Sequence, residues 1–388
     1  MQNELKPNIK KSRRYHGFDM LRAMAMLLGI PFHACLSYGI NDYHWVVSDM
    51  NGSVIMDYFN YFIRSFRMPL FFLIAGFFGH LVFLRYKDHF LADRLRRITL
   101  PLIIFAIILL PPLKGLWLIG ERPSLLFSGQ FLELWNYILI NFWKGPEGAH
   151  FRYPVNFAHL WFLLYLTIFN IFTFFFMKFE RPKLINSILT RSHLFGAVIL
   201  TTLSLCTMSG TWTDKPFTLW PKVSLLFYYG IFYFYGWLLF ESRDILDLHS
   251  QHKRKWKILS ICGLIIIGTR VYYQVNLLSI FNVSPIILHA WMAIGTWLII
   301  IGAVIYAESI VKKSSLVVNY LVKASYFLYL SHLPVVVAVQ LFLYDVDMNW
   351  FMKFLTANIV TLILIIPLYH YLIRDKVVDH FLKGKKLF

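Results

Sequence analysis

The chain has 388 residues, of which 58% are hydrophobic and only 15% charged, too few charges to cover the surface of soluble domains of that total size. A formal net charge of +18 would suggest nucleic acid in a soluble protein, but here the chain reads as an all-α, polytopic integral membrane bundle, and the charge has to be placed before it is interpreted. Cys35, Cys206 and Cys262 sit in apolar stretches without paired spacing, so neither a metal site nor a redox pair is expected.

The opening MQNELKPNIKKSRRYHG is polar and basic and runs into an apolar segment without a small-residue cleavage site, which predicts a basic cytoplasmic segment over 1–17 and no cleavable signal peptide. Segments able to cross a bilayer follow near 18–38, 68–84, 98–118, 159–178, 194–210, 223–240, 257–275, 285–306, 324–344 and 351–373. About ten transmembrane helices are therefore expected, within a single transmembrane domain over 18–373. The segment at 194–210 is the weakest, being rich in Thr and Ser. The longest outer connection, near 119–158, contains Leu132, Trp135, Leu139 and Phe142 at helical spacing and predicts a helix lying on the membrane surface. A basic tail, 374–388, closes the chain. With the N-terminus in the cytoplasm, 27 of the 38 Lys and Arg fall on the inner side and 10 on the outer, Arg22 lying within the first span. That bias predicts both termini cytoplasmic and accounts for most of the net charge, so no nucleic-acid partner is expected.

Ionisable residues inside a bilayer are costly and usually face a bundle interior or a wet cavity. In the first span Arg22 and His33 are eleven residues apart, about 20° around an uninterrupted helix and about 16 Å along it, and Asp19 lies near the same face one turn further in. Pro31 predicts a local kink beside His33. A neutral imidazole can take a proton near pH 7, so His33 is a candidate base in a cavity, with interhelical hydrogen bonding as the alternative. Asp57, Asn60, Arg64 and Arg67 follow 3-4-3 spacing and line one side of a helix approaching the second span from outside. They read either as a solvated face or as a grip for sugar hydroxyls or an anionic acyl group. Gly76 and Gly79 read as packing glycines. Arg94 and Arg97 share a face before the third span and serve either as positive-inside anchors or as a phosphate clamp. Ser325, Tyr329 and His332 stack along one face of the ninth span, and His159 sits beside Trp161 at the outer mouth of the fourth. Arg270, His80, His289 and His370 lie near span ends and are expected to snorkel.

These residues together resemble the integral-membrane acyltransferases of acyltransferase family 3. The resemblance rests on Arg22 followed by ten residues and His33, on Arg94-Leu-Arg-Arg97 before the third span, and on the late SYFLYLSH. Within the family, LRAMAMLLGIPFH, FIRSFRMPLFFLIAGFFGHLVFLRY and HLWFLL look most like the branch of osmoregulated periplasmic glucan succinyltransferases, and no appended soluble hydrolase-like domain is expected. The resemblance implies a multi-pass protein of the bacterial inner membrane. It would move an acyl group from a cytosolic acyl-CoA donor, succinyl-CoA or acetyl-CoA, to a hydroxyl of a glycan outside that membrane, with no metal. It further implies His33 as the catalytic base with Arg22 in support, and Arg94 and Arg97 holding the donor's phosphates at the inner end, where Asp19 also lies. Arg64 and Arg67, with His159, Trp161, Tyr329 and His332, are the candidates for substrate contact on the outer side. Acetylation of lipopolysaccharide O-antigen or another polysaccharide is the alternative activity. A secondary transporter or flippase is the alternative of another class, although no repeated halves are visible.

Overall fold

The computed structural model describes residues 14–142, 157–179, 191–214, 216, 220–313 and 315–376, and among them all regular structure is helical. The helices that position the site are α1 (His16–Leu27), α2 (Gly29–Ala34), α3 (Val54–Tyr86), α4 (Leu100–Glu121), α5 (Trp161–Phe179), α6 (Arg191–Cys206), α7 (Val223–Glu241), α8 (Lys253–Tyr272), α9 (Pro285–Ile310), α10 (Leu316–Phe342) and α11 (Trp350–Pro367). Each of the ten expected segments falls in helical structure, whereas among the described residues eight helical stretches are long and apolar enough to cross a membrane. The difference has two causes. Helices α3 and α4 are joined by short helical turns into one 68-residue run, Val54–Glu121. The described part of helix α6 has 16 residues, about 24 Å at 1.5 Å per residue, which falls short of a hydrocarbon core of about 30 Å.

The first span is not a continuous helix. Pro31 has no N–H to offer the carbonyl of Leu27, and its ring crowds that carbonyl, so α1 ends there and α2 restarts at Gly29. A 3₁₀ turn, Cys35–Ser37, then releases the chain into a loop that folds back over the bundle. In contrast, α3 is one helix of 33 residues, about 50 Å long. The segment bearing Asp57, Asn60, Arg64 and Arg67 is therefore the start of the second span itself rather than a separate approach. Ser53 caps it by accepting a hydrogen bond from the Ile55 N–H.

Helices α3 and α7 meet almost backbone to backbone. A Cβ at Gly76 would lie 1.8 Å from the Tyr233 carbonyl oxygen, and one at Gly236 would lie 1.9 Å from that of Leu73. This is the close approach small residues permit between membrane helices. Helices α1 and α2 pack against α10, which places the first span beside the late SYFLYLSH segment. Arg22 near the start of the described chain and Tyr369 near its end line the same cavity, so both ends lie at one end of the bundle, here called the basic end. The outer connection does contain a helix, Phe131–Asn141, with Leu132, Trp135 and Leu139 exposed. The part of the outer connection over 143–156 lies outside the described residues.

Candidate functional site

The residues singled out in the sequence divide between two cavities at opposite ends of the bundle. At the basic end, a cavity of about 430 Å³ is lined by Arg22, Arg94, Arg97 and Lys323 among apolar and aromatic side chains. The arginines are held by neighbouring carboxylates. Asp19 accepts from Arg22 at 3.1 Å and from Arg14 at 3.3 Å. Asp93 accepts from Arg94 and, at 2.8 Å, from Arg97. Asp19 thus orients Arg22 and is not itself among the lining residues. Arg97 lies in a π-helical turn, Leu95–Thr99, an irregularity frequent at functional sites. Four cations against two carboxylates leave this cavity net positive, with Lys323 exposed and without an ion-pair partner among the described residues.

The far-end cavity is lined by His33, Arg64, Arg67, His159, Trp161 and Tyr329, together with Asn60, Trp45, Trp117 and Asp214. His332 stands behind it, fully buried. The three imidazoles form a cluster with ring centroids 5.3 Å apart for His33 and His332, 5.1 Å for His159 and His332, and 6.4 Å for His33 and His159. A backbone carbonyl can only accept, so two of these rings have defined tautomers. His159 donates from Nε2 to the Leu330 carbonyl at 2.8 Å, and His332 donates from Nδ1 to the Tyr329 carbonyl at 2.6 Å. Tyr329 donates to the His159 carbonyl at 2.8 Å and ties the two strands of the cluster together. What remains is a set of buried polar atoms without hydrogen-bond partners among the described residues: Nδ1 of His33, Nδ1 of His159, Nε2 of His332, Oδ1 of Asn60, and Nε and Nη1 of Arg67. Buried polar groups are normally satisfied, so such a concentration around one cavity marks a place for a polar ligand. Among the described residues no group of three His, Cys, Asp or Glu side chains is arranged to hold a metal ion.

Two residues that sequence reasoning did not select complete the cluster. The Trp45 indole stacks on His33 with centroids 5.6 Å apart and planes 14° from parallel. It is held there by Gln340, whose Oε1 accepts from Trp45 Nε1 at 2.8 Å while its Nε2 donates to the carbonyls of Ala34 and His33. Gln340 carried a readable sign, a polar amide within an apolar span. Trp45, in a loop, carried none.

Several expectations change. Asp57 does not face a ligand: fully buried, it accepts from Tyr43 Oη at 2.7 Å and from the Ile40 N–H at 3.1 Å, and so folds the loop after the first span onto α3. Arg64 donates to the Thr213 carbonyl. Asp214, nearby at the cavity mouth, has its carboxyl held below the usual range, because hydrogen bonds from Ser209 and the Lys222 ammonium outweigh the opposing effect of burial. Arg270, His80 and His289 do not snorkel. Arg270 is fully buried and donates to the carbonyls of Leu288 and Thr211, His80 bonds the Trp237 carbonyl, and His289 bonds that of Gly210. The expected stripe from Arg22 to His33 is interrupted as well. The two residues open into different cavities; Phe71 and Phe162 line the basic-end one, their rings 5.1 Å apart, and Phe162 packs 4.7 Å from the ring of Tyr329, which lines the other.

The described residues thus form an apolar helical bundle of the kind that spans membranes, with a cationic cavity at one end and a histidine cluster at the other. The family model described as "Acyltransferase domain" matches residues 15–370, and the chain belongs to that family, acyltransferase family 3. It is similar to proteins named "Glucans biosynthesis protein C" from Escherichia coli O6:K15:H31 (strain 536 / UPEC), strain K12 and strain SMS-3-5 / SECEC. Identity is 26% in each case over 401 residues, covering 96% of this chain and 95% of the relative. No solved structure matches. The protein is thus a multi-pass membrane acyltransferase.

Proposed function

We propose that this acyltransferase resides in the bacterial inner membrane and moves a succinyl or acetyl group from cytosolic acyl-CoA to a hydroxyl of a periplasmic or cell-surface glycan, with His33 as general base. The observation that carries this reading is the division of the site. One cavity is net positive and opens at the end where the basic segments gather. The other gathers imidazoles with free lone pairs beside aromatic and amide side chains. Arg22, Arg94, Arg97 and Lys323 fit the phosphates of a CoA donor, because guanidinium groups pair with phosphate through charge-assisted hydrogen bonds. When bound, the donor supplies the activated thioester. His33 takes the proton of the acceptor hydroxyl, and His332 and His159 stand beside it in tautomers fixed by their N–H bonds to backbone carbonyls. Trp45, Trp117 and Trp161 offer ring faces and Asn60, Arg64 and Asp214 offer polar contacts suited to a sugar. The names of the relatives favour a glucan as acceptor.

The test uses the purified full chain in detergent with succinyl-CoA or acetyl-CoA and glucan oligosaccharides, following CoA release and product mass. Acyl-glucan formation that disappears in His33→Ala is the expected result. Full glucan acylation by His33→Ala would defeat the role of His33. Glucan flux through proteoliposomes without CoA consumption would replace the enzyme reading with a transporter.

A further inference from the structure

Resting on the reading of the far-end cavity as the acyl-transfer centre, we infer that Arg67 is the catalytic residue that holds the carbonyl oxygen of the donor thioester and stabilises the negative charge that develops on it.

Three observations converge on Arg67. First, its side chain is a buried cation with no carboxylate partner among the described residues. The residue is 5% exposed, and neither Nε nor Nη1 has a hydrogen-bond partner among the described residues. The face of Phe32 lies 4.4 Å from the guanidinium carbon, a contact that favours the cation without satisfying its N–H donors. Leaving a buried charged donor unpaired destabilises a fold, so an oxygen-bearing ligand is the natural complement. Second, its neighbour on the same face is used differently. Arg64, one turn outward on α3, already bonds the Thr213 carbonyl, whereas Nε and Nη1 of Arg67 are buried with no partner among the described residues. Third, Arg67 occupies the inner limit of the far-end cavity. A Cβ at Gly29, one turn before His33, would lie 3.2 Å from Arg67 Nη1 and 3.4 Å from the Tyr329 ring. One turn further along α3 stands Phe71, which lines the basic-end cavity. A thioester arriving from the basic end therefore meets Arg67 before Arg64, with His33 beyond it to receive the proton.

The step balances without another co-reactant. The acceptor oxygen bonds to the thioester carbonyl carbon as its proton passes to His33, and the carbonyl electron pair moves onto the oxygen facing Arg67. When the carbonyl re-forms, the carbon–sulfur bond breaks and the departing sulfur takes the proton from His33. Fixed donors aimed at such an oxygen in a site shielded from water contribute about 10²- to 10³-fold each.

Wild type, Arg67→Lys, Arg67→Gln and Arg67→Ala are assayed as full chains in detergent with succinyl-CoA and with acetyl-CoA on glucan oligosaccharides, with the melting temperature recorded for each. The expected result is a kcat about 100-fold lower for Arg67→Gln with either donor, KM values within about threefold of wild type, and partial recovery of Arg67→Ala by added guanidinium ion. Guanidinium rescue reads the missing group itself, so it supports the role even where the glutamine variant folds poorly. A defect confined to KM for succinyl-CoA would overturn the inference in favour of a receptor for the donor's second carboxylate. A wild-type kcat in Arg67→Gln with His33→Ala inactive would overturn it while leaving the acyl-transfer reading intact. Absence of CoA release from wild type with both donors would overturn that reading and the inference with it.

Discussion

The two cavities use cations in opposite ways. At the basic end each arginine is partly neutralised by a carboxylate supplied by its own helix or the adjoining turn, Asp19 for Arg22 and Asp93 for Arg94 and Arg97, and Lys323 is left exposed. At the far end Arg67 and the free nitrogens of three histidines are enclosed with no partner among the described residues. Paired, part-exposed cations suit a charged ligand that binds and leaves, because their resting state is already satisfied. Enclosed, unpaired groups suit chemistry, because electrostatic interactions strengthen where water is excluded. The comparison separates variants that weaken donor binding from variants that slow the acyl-transfer step.

The largest effect is expected at His33. His33→Gln, which keeps a polar side chain of similar reach, should lower kcat by about 10²- to 10⁴-fold with a melting temperature near that of wild type. A comparable change in donor KM alone would dissolve the distinction between the two ends. The pair Arg94→Gln and Arg97→Gln comes next. It should raise the donor's KM by about 10- to 100-fold with kcat much less affected, as steady-state kinetics at varied acyl-CoA will show. Because the same change leaves the Asp93 carboxylate unpaired beside the cavity, adding Asp93→Asn should recover part of the affinity. Gln340→Leu should follow, with kcat lowered about tenfold, since the Trp45 indole loses its acceptor and its hold over His33. Combining it with Trp45→Phe should add little, because both act through one contact, and a double-mutant cycle measures this directly. The smallest effect is expected for Lys323→Ala. An exposed cation at the cavity rim should alter donor KM by about two- to fivefold, and the effect should fade as ionic strength rises.

Much of this arrangement was legible because the bilayer makes polar residues conspicuous. Arg22, His33, His332 and the arginines before the third span stood out against apolar surroundings, and their spacing implied shared faces. The Asp57 to Arg67 face was legible too, but its two ends have different roles, one folding a loop and the other facing a cavity. Spacing on a helix reports direction and says nothing of what another segment places opposite. The interruption at Leu28 was foreshadowed by Pro31, yet its consequence, that Arg22 and His33 open into separate cavities, depends on Phe71, Phe162 and Tyr329 from three other helices.

By itself the sequence determined the class of the protein, the apolar segments from which its helices are built and the residue types available for chemistry. Apolar length, charge bias and the rarity of intramembrane ions are local properties, readable one segment at a time. Only the tertiary structure decided which polar groups are satisfied and which are not. That depends on partners far away in the chain, Thr213 for Arg64, Gln340 for Trp45 and Leu330 for His159. Hydrogen-bond satisfaction is a property of pairs, and in a helical bundle most of the pairs that matter are made between helices that the sequence lists far apart.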